Sequence, residues 1–238
     1  MRVSTLEIDG RTVTGAPGET VFDAAWNSGI RIPRLCHLGS VSDVGACRLC
    51  LVEIEGQSRL QPACMTPVRE GMVVRAHTPA LLQHRRMIVE LLLAERNHTC
   101  SVCVTNGACE LQDLATSLGI DHVRFRYRHP QLGVDLSHER YGLDHNRCIL
   151  CTRCVRVCDE VEGAHTWDIA GRGANAQIIC DMKTPWGQSD TCTGCGKCVQ
   201  VCPTGALFQK GKAVAEQRRD RSFLRYIVTA REKKQWIR

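Results

Sequence analysis

The sequence predicts an α+β protein built from small modules in series. Three observations carry this. Strand-like and helix-like stretches are short and mixed over the first 78 residues. Aromatic residues make up only 5 % of the chain, so any single apolar core is modest. Sixteen cysteines among 238 residues fall into spaced groups. Cysteine at that density means either a secreted disulfide framework or metal sites. The N-terminal MRVSTLEIDG carries no apolar signal segment, and no run approaches the ~18 apolar residues of a membrane span. A reducing, cytoplasmic compartment is therefore expected, in which disulfides do not persist. Metal is the favoured use of the cysteines, and metal centres supply cross-links that a small core lacks.

Residues 1–78 form the first expected domain. Val3 to Ile8 alternates as a short strand, Asp9-Gly10 is a hairpin turn, and residues 11–14 return. Residues 20–28 suit a short helix with Thr20 as N-cap and Gly29 as its end. Cys36, Cys47, Cys50 and Cys64 follow, spaced C-x10-C-x2-C-x13-C. Plant-type ferredoxins hold a 2Fe–2S cluster with C-x4-C-x2-C and a distant fourth cysteine; here the first gap is longer. Gly39 and Gly45, with Ser40 and Ala46, allow backbone N–H groups close to sulfur. LVEIEG and GMVVRAH read as strands. Hairpin, helix, cluster loop and strands together suggest a β-grasp 2Fe–2S ferredoxin domain, against the alternative of a zinc-stapled loop. His37 reads as a loop residue rather than a ligand.

Residues 79–119 form the second. Thr78-Pro79 is a helix start. Leu81, Leu82, Met87, Ile88, Leu91 and Leu92 fall largely on one face, read as core packing. The helix leads to Cys100, Cys103 and Cys109, spaced C-x2-C-x5-C, with His98 just ahead. Three cysteines leave one corner of a 4Fe–4S cube open, and a neutral imidazole can ligate iron. His98 is the expected fourth ligand of this small helical domain. A short helix, ELQDLATSLG, ends at Gly119.

Residues 120–140 read as a linker, in which Arg124, Arg126 and Arg128 alternate with apolar residues as a solvated edge strand or a subunit-docking strand. Residues 141–210 contain C-x2-C-x2-C-x3-C twice, separated by 33 residues, the second copy ending Cys202-Pro203. This is the bacterial ferredoxin run, whose fourth cysteine ligates the other cluster. One 4Fe–4S cube is therefore assigned to Cys148, Cys151, Cys154 and Cys202, the other to Cys158, Cys192, Cys195 and Cys198. Structural zinc is the competing use of C-x2-C pairs; two intact four-cysteine runs weigh against it. The insertion between the runs reads as a helix and a strand, with His165 and Trp167 as packing residues. Fifteen cysteines and His98 fill sixteen ligand positions, leaving Cys180 as a buried structural thiol.

Residues 211–238 hold nine Lys or Arg against three acidic residues. Phe223, Leu224, Ile227 and Val228 are spaced as one helical face, so this basic tail is expected to dock on a partner or back across the ferredoxin module. The formal net charge is +6, but one 2Fe–2S and three 4Fe–4S clusters with these ligands bring about −7 by formal electron counting. The basic excess then balances buried cluster charge and is weak support for nucleic-acid binding.

The stretches CHLGSVSDVGACRLCLVEIEG, ERNHTCSVCVTNGACELQD, LDHNRCILCTRCVRVCDEVEGAH and CTGCGKCVQVCPTGA, in that order, resemble the N-terminal part of the large iron–sulfur subunit of complex I, of FeFe-hydrogenases and of certain formate dehydrogenases. Over its whole length the chain most closely resembles the diaphorase iron–sulfur subunits of Hox-type bidirectional NAD(P)-linked NiFe-hydrogenases. Only Thr99 separates His98 from Cys100, where complex I has three residues; the Hox-type subunits resemble this short form. Complex I proteins commonly lack one cysteine of the first ferredoxin run, whereas Cys158 is present here, which favours two cubes.

The resemblance implies an electron-transfer subunit between a flavin-containing NAD(P)H-oxidising diaphorase subunit and the small and large NiFe-hydrogenase subunits. The equivalent subunit of an NAD-dependent formate dehydrogenase or complex I-like enzyme is the alternative. No dinucleotide fingerprint, P-loop or catalytic constellation is present in the sequence, so the chain is expected to carry electrons and not to catalyse alone. No nucleic-acid partner and no integral membrane segment are expected.

Overall fold

The computed structural model describes residues 3–233. Its contacts divide into two compact units. The first takes the chain up to His37, Asp43–Leu91 and Leu114–His122; the second takes Leu38–Ser42, Leu92–Asp113 and everything from Val123 onward.

The first unit is built on a five-stranded mixed sheet. Strands β1 (Ser4–Ile8) and β2 (Arg11–Gly15) form the expected hairpin, with Leu6 opposite Val13. Asp9 and Gly10 both adopt positive φ, 50° and 76°, the type I′ geometry that matches strand twist. Strands β3 (Leu51–Ile54), β4 (Gln61–Pro62) and β5 (Val73–Arg75) complete the order β2-β1-β5-β3-β4, with β1 and β5 parallel. Helix α1 (Val21–Asn27) starts from a capping box: Asp23 N donates to Thr20 Oγ1 at 3.2 Å, and Thr20 N donates to Asp23 Oδ2 at 3.1 Å. Such a cap is worth about 1 kcal/mol. Val21, Phe22, Ala24 and Ala25 of α1 share one core with Leu6, Ile8, Val13, Val52 and Val74.

Helix α2 (Pro79–Glu95) begins at Thr78, whose Oγ1 accepts from Leu81 N at 3.3 Å. Its inward line is not the apolar stripe expected. Leu81, Arg85 and Val89 are buried, whereas Leu82, Met87 and Leu91 are exposed. The reason is Arg85, which donates to the carbonyls of Leu49 and Leu51, both at 3.1 Å. Two backbone acceptors outweigh the apolar pattern in setting the rotation of the helix. Helix α3 (Glu110–Ser117) ends at Gly119, φ 63°, with Ile120 N bonded to Ala115 O at 2.9 Å.

The second unit contains a three-stranded antiparallel sheet, β6 (Val134–Asp135), β7 (Tyr141–Asp144) and β10 (Leu207–Gln209), in the order β10-β7-β6. Two short helices, α4 (Arg153–Val157) and α5 (Lys197–Val201), lie against each other, one at the end of each cysteine run. No strand forms over 123–128; Arg128 N instead donates to Ala94 O at 3.0 Å. The insertion is a two-stranded ribbon, β8 (Trp167–Ala170) with β9 (Gln177–Cys180), preceded by one wide turn at Cys158–Glu162. Alternation of Trp167, Ile169 and then Ile178, Cys180 across a glycine turn favours this hairpin over the expected helix and strand. Trp167 and Cys180 are buried as expected. His165 is not a packing residue: it is exposed and pairs with Asp159 at 2.6 Å.

The basic tail returns across the ferredoxin-like part. Ala215 N and Gln217 N donate to the carbonyls of Cys103 and Val104 at 3.1 and 2.9 Å. Helix α6 (Ser222–Lys233) buries Leu224 in the same core as Leu143, Val157 and Val201, with Phe223 packed at its edge. The Val228 side chain and residues 234–238 of the expected tail lie outside the described residues.

Candidate metal centres

The first group lies in the loop between α1 and β3 and in the 3-10 turn Ala63–Met65 that follows β4. Cys36, Cys50 and Cys64 are buried and Cys47 is partly so. The four thiols form two close pairs. Cys50 Sγ and Cys64 Sγ are 3.5 Å apart, and the Cys36 and Cys47 side chains hydrogen-bond each other. Within each pair the shared proton holds one thiol up and lets the other fall: the hydrogen bond to Cys36 brings Cys47 down to about 5. Two irons, each with two terminal thiolates, require two such pairs. Cys47 N also donates to Cys36 Sγ at 3.4 Å. Positive φ at Ser40, Gly45 and Arg48 shapes this loop. His37 is not part of the group: its Nδ1 meets Asp43 at 2.6 Å and its ring lies 4.3 Å from that of Phe22.

The second group sits between α2 and α3. A single 3-10 turn, Cys100–Val102, carries the first cysteine, and Cys103 and Cys109 are buried below it. Cys103 lies in the field of both Cys100 and Cys109. Burial pushes the Cys109 thiol up to about 11. His98 Nε2 is buried with no hydrogen-bond partner among the described residues. Burial lowers the imidazole to about 4, so it is neutral, with Arg147 and Arg96 adding to the shift. A buried, orphaned imidazole nitrogen is costly unless it has a partner. An iron ion is such a partner, and a neutral imidazole is the form that ligates.

The two ferredoxin runs share one local construction. Leu150 and Thr152 in the first run have φ of 52° and 61°; Gly194 and Gly196 in the second have 65° and 73°. Left-handed residues at alternate positions turn backbone N–H groups inward, as in the nests that bind anions. The backbone of Leu150 hydrogen-bonds Cys148, and that of Arg153 hydrogen-bonds Cys151. Cys148, Cys151, Cys154 and Cys202 line one apolar hollow with Leu143 and Ile178. Burial pushes Cys148 up to about 12 and Cys151 up to about 11, and their sulfur neighbours, Cys202 among them, further oppose the ionisation of Cys148, Cys151 and Cys154. Cys198 is held well up by its own burial and by Cys195, Cys158 and Cys192. Cys202 thus lies with the first three cysteines of the first run, and Cys158 with those of the second. Buried thiols this reluctant to ionise become thiolates only against compensating positive charge, which bound iron provides. Among the described residues no three His, Cys, Asp or Glu side chains converge as closely as a single metal ion requires.

Several neighbours carry no signal in cysteine spacing. Arg153, 1 % exposed, donates from both terminal nitrogens to Glu110, at 2.8 and 2.9 Å, and Arg221 donates to Glu110 Oε1 at 2.5 Å. Burial opposes the Glu110 charge, but the two arginines hold its carboxyl at about 2. This ion cluster joins the residues next to Cys109 and Cys154 and the basic tail. Trp186 Nε1 donates to Cys192 Sγ at 3.2 Å. Gly205 packs directly on Cys103 Sγ.

Three family profiles match in series: a 2Fe-2S iron-sulfur cluster binding domain over residues 2–79, the NADH-ubiquinone oxidoreductase-G iron-sulfur binding region over 85–124, and the ferredoxin-like domain of NADH-quinone oxidoreductase subunit 3 over 141–208. The chain is 34 % identical over 206 residues to the HoxS gamma chain of the NAD-reducing hydrogenase of Cupriavidus necator, covering 86 % of each chain. It is 38 % identical over 221 residues to the HndD chain of the NADP-reducing hydrogenase of Solidesulfovibrio fructosivorans, and 35 % over 210 residues to the mitochondrial 78 kDa subunit of NADH-ubiquinone oxidoreductase of Candida albicans. It spans only 36 % and 28 % of those two longer relatives. Among solved structures it superimposes on a chain of an NAD+-reducing [NiFe]-hydrogenase in the H2-reduced state, with a TM-score of 0.82, 36 % identity and 88 % of each chain covered.

Proposed function

The chain belongs to the family of iron–sulfur subunits that includes the HoxS gamma chain, and on that premise we propose that it relays electrons within an NAD(P)-linked NiFe-hydrogenase. Its partners would be a flavin-containing NAD(P)H-oxidising diaphorase subunit and the hydrogenase small and large subunits. The coupled reaction interconverts H2 and NAD(P)+ with NAD(P)H and a proton. The chain itself would catalyse neither half-reaction.

A β-grasp domain would hold one 2Fe–2S cluster through Cys36, Cys47, Cys50 and Cys64. Three 4Fe–4S clusters would be held by His98, Cys100, Cys103 and Cys109; by Cys148, Cys151, Cys154 and Cys202; and by Cys158, Cys192, Cys195 and Cys198. When bound, these clusters supply one-electron transfer. The protein's part is to bury them, to direct backbone N–H groups at sulfur and to place Arg153 and Arg147 beside them. Among the described residues no helix is long and apolar enough to cross a membrane. No disulfide joins any of the sixteen cysteines, and a cytoplasmic setting suits that chemistry.

The observation that carries this reading is the match to the HoxS gamma chain over 86 % of both chains. The test is metal and sulfide analysis of the natively purified complex, with EPR of the dithionite-reduced sample. About fourteen irons in this chain, one 2Fe–2S signal and several 4Fe–4S signals are expected. Nickel in the same complex identifies the hydrogenase. Molybdenum or tungsten without nickel would move the chain to a formate dehydrogenase. Zinc in place of iron would overturn the electron-transfer reading.

A further inference from the structure

The insertion between the two ferredoxin runs brings two indoles against one cysteine group. Trp186 Nε1 donates to Cys192 Sγ at 3.2 Å. The Trp167 ring packs in the same buried cluster as Cys198. Both rings are buried, with 1 % and 4 % exposure. They meet edge to face with centroids 4.8 Å apart, and Trp186 also stacks on Tyr141 at 5.7 Å. Trp186 cannot swing aside without disturbing Trp167. The Cys148 group is served differently, by the backbone of Leu150 and Arg153 and by the hydroxyl of Thr204, 3.8 Å from Cys202 Sγ.

We propose that Trp186 raises the reduction potential of the cluster held by Cys158, Cys192, Cys195 and Cys198 through an indole N–H aimed at Cys192 Sγ, with the Trp167 ring holding that indole in place. The inference rests on the assignment of those four cysteines as one 4Fe–4S cage. One-electron reduction adds a negative charge, part of which resides on the ligand sulfurs. A donor already pointed at sulfur binds the reduced state more tightly than the oxidised one, because hydrogen bonds to charged acceptors are the stronger. The pre-placed donor therefore raises the potential of this cluster. It acts on the cluster's poise, not as a catalytic residue. The turn carrying Trp186 delivers it, and Trp167 of the ribbon β8–β9 packs against its ring.

The test is an EPR-monitored redox titration of the purified complex carrying Trp186→Phe. Cys195→Ser, which replaces a ligand of this cage, identifies its signal. The phenylalanine variant is expected to lower the reduced-to-oxidised ratio of that cluster about tenfold at fixed potential, equivalent to about 59 mV for a one-electron couple. Iron content and the potential of the Cys148 cluster stay unchanged. An unmoved midpoint at full iron content overturns the inference, as does an equal shift in every cluster. If phenylalanine costs iron, benzothienylalanine at position 186 keeps the ring shape and removes only the N–H. The same downward shift is expected, and its absence is again decisive against the proposal. A wild-type complex with no 4Fe–4S signal altered by Cys195→Ser would instead overturn the cage assignment and the inference with it.

Discussion

Substituting Gly196 with alanine separates two costs that coincide in the second cysteine run. The residue sits at φ 73° between Cys195 and Lys197, at the start of α5. A side chain there makes the left-handed conformation dearer by about 1–2 kcal/mol. The added Cβ would also lie 2.9 Å from Cζ of Tyr141, and nearer still to its hydroxyl. That ring has little room to withdraw, being stacked on Trp186 at 5.7 Å and on His138 at 5.0 Å. Overpacking of this kind costs about 1–3 kcal/mol, so Gly196→Ala is expected to destabilise the loaded protein by about 2–5 kcal/mol. Gly211→Ala is the matched control: φ is 77° and nothing lies within 4 Å of its Cβ. Only the conformational cost of about 1–2 kcal/mol applies there, and the change in unfolded-chain entropy is common to both variants. Tyr141→Phe in the Gly196→Ala background removes the nearest atom and should restore about 1 kcal/mol as a coupling energy. The assay is anaerobic guanidinium unfolding followed by circular dichroism at matched iron loading. The rate of loss of visible absorbance serves if unfolding proves irreversible. A Gly196→Ala variant no less stable than Gly211→Ala would refute the packing argument.

Three further outcomes follow from the same geometry. His98→Ala should lower iron by about four per chain, from about fourteen to about ten, with the other clusters' EPR signals retained; unchanged iron would remove His98 from the ligand set. Gly205→Ala puts a Cβ onto Cys103 Sγ and 2.9 Å from Thr105 Oγ1, so it should empty or distort that same site while leaving every ligand in place. Normal iron and an unshifted signal would show that Cys103 is free to move. Glu110→Gln leaves Arg153, 1 % exposed, without its bidentate carboxylate, which should cost about 3–5 kcal/mol in unfolding free energy; a loss under about 1 kcal/mol, the ceiling for exposed pairs, would mean that solvent compensates the arginine.

Much of this architecture is legible because cysteine spacing is a direct record of ligand geometry. C-x2-C-x2-C-x3-C written twice pairs the last cysteine of one run with the first three of the other, and the gathering of Cys202 with Cys148, Cys151 and Cys154 follows that rule. Local signals are equally readable: Asp9-Gly10 as a hairpin turn, Thr20 as a helix cap, Gly119 as a helix end. Each depends on residues within a few positions of one another, so no tertiary information is needed.

The departures from local pattern share a cause. Helix α2 carries an apolar stripe in its sequence, but the inward position goes to Arg85 because the carbonyls of Leu49 and Leu51 lie opposite it. Alternating arginines at 124–128 suggest a strand, yet among the described residues no neighbouring strand pairs with it. The insertion has the local look of a helix and a strand, and the pairing of Trp167 with Cys180 makes it a ribbon.

The sequence by itself determined how the cysteines group along the chain and the order of the modules, since thiols at fixed short spacing share one loop. Tertiary structure decided what surrounds those cysteines: the orphaned Nε2 of His98, the Trp186 indole on Cys192, and the Glu110–Arg153–Arg221 cluster. It also decided that Leu150 and Thr152 adopt the left-handed conformation that Gly194 and Gly196 take in the second run. Nothing local favours that backbone for leucine or threonine. It is held because the surrounding fold over-determines the turn, and such strain is a property of the whole packed unit rather than of any segment of the chain.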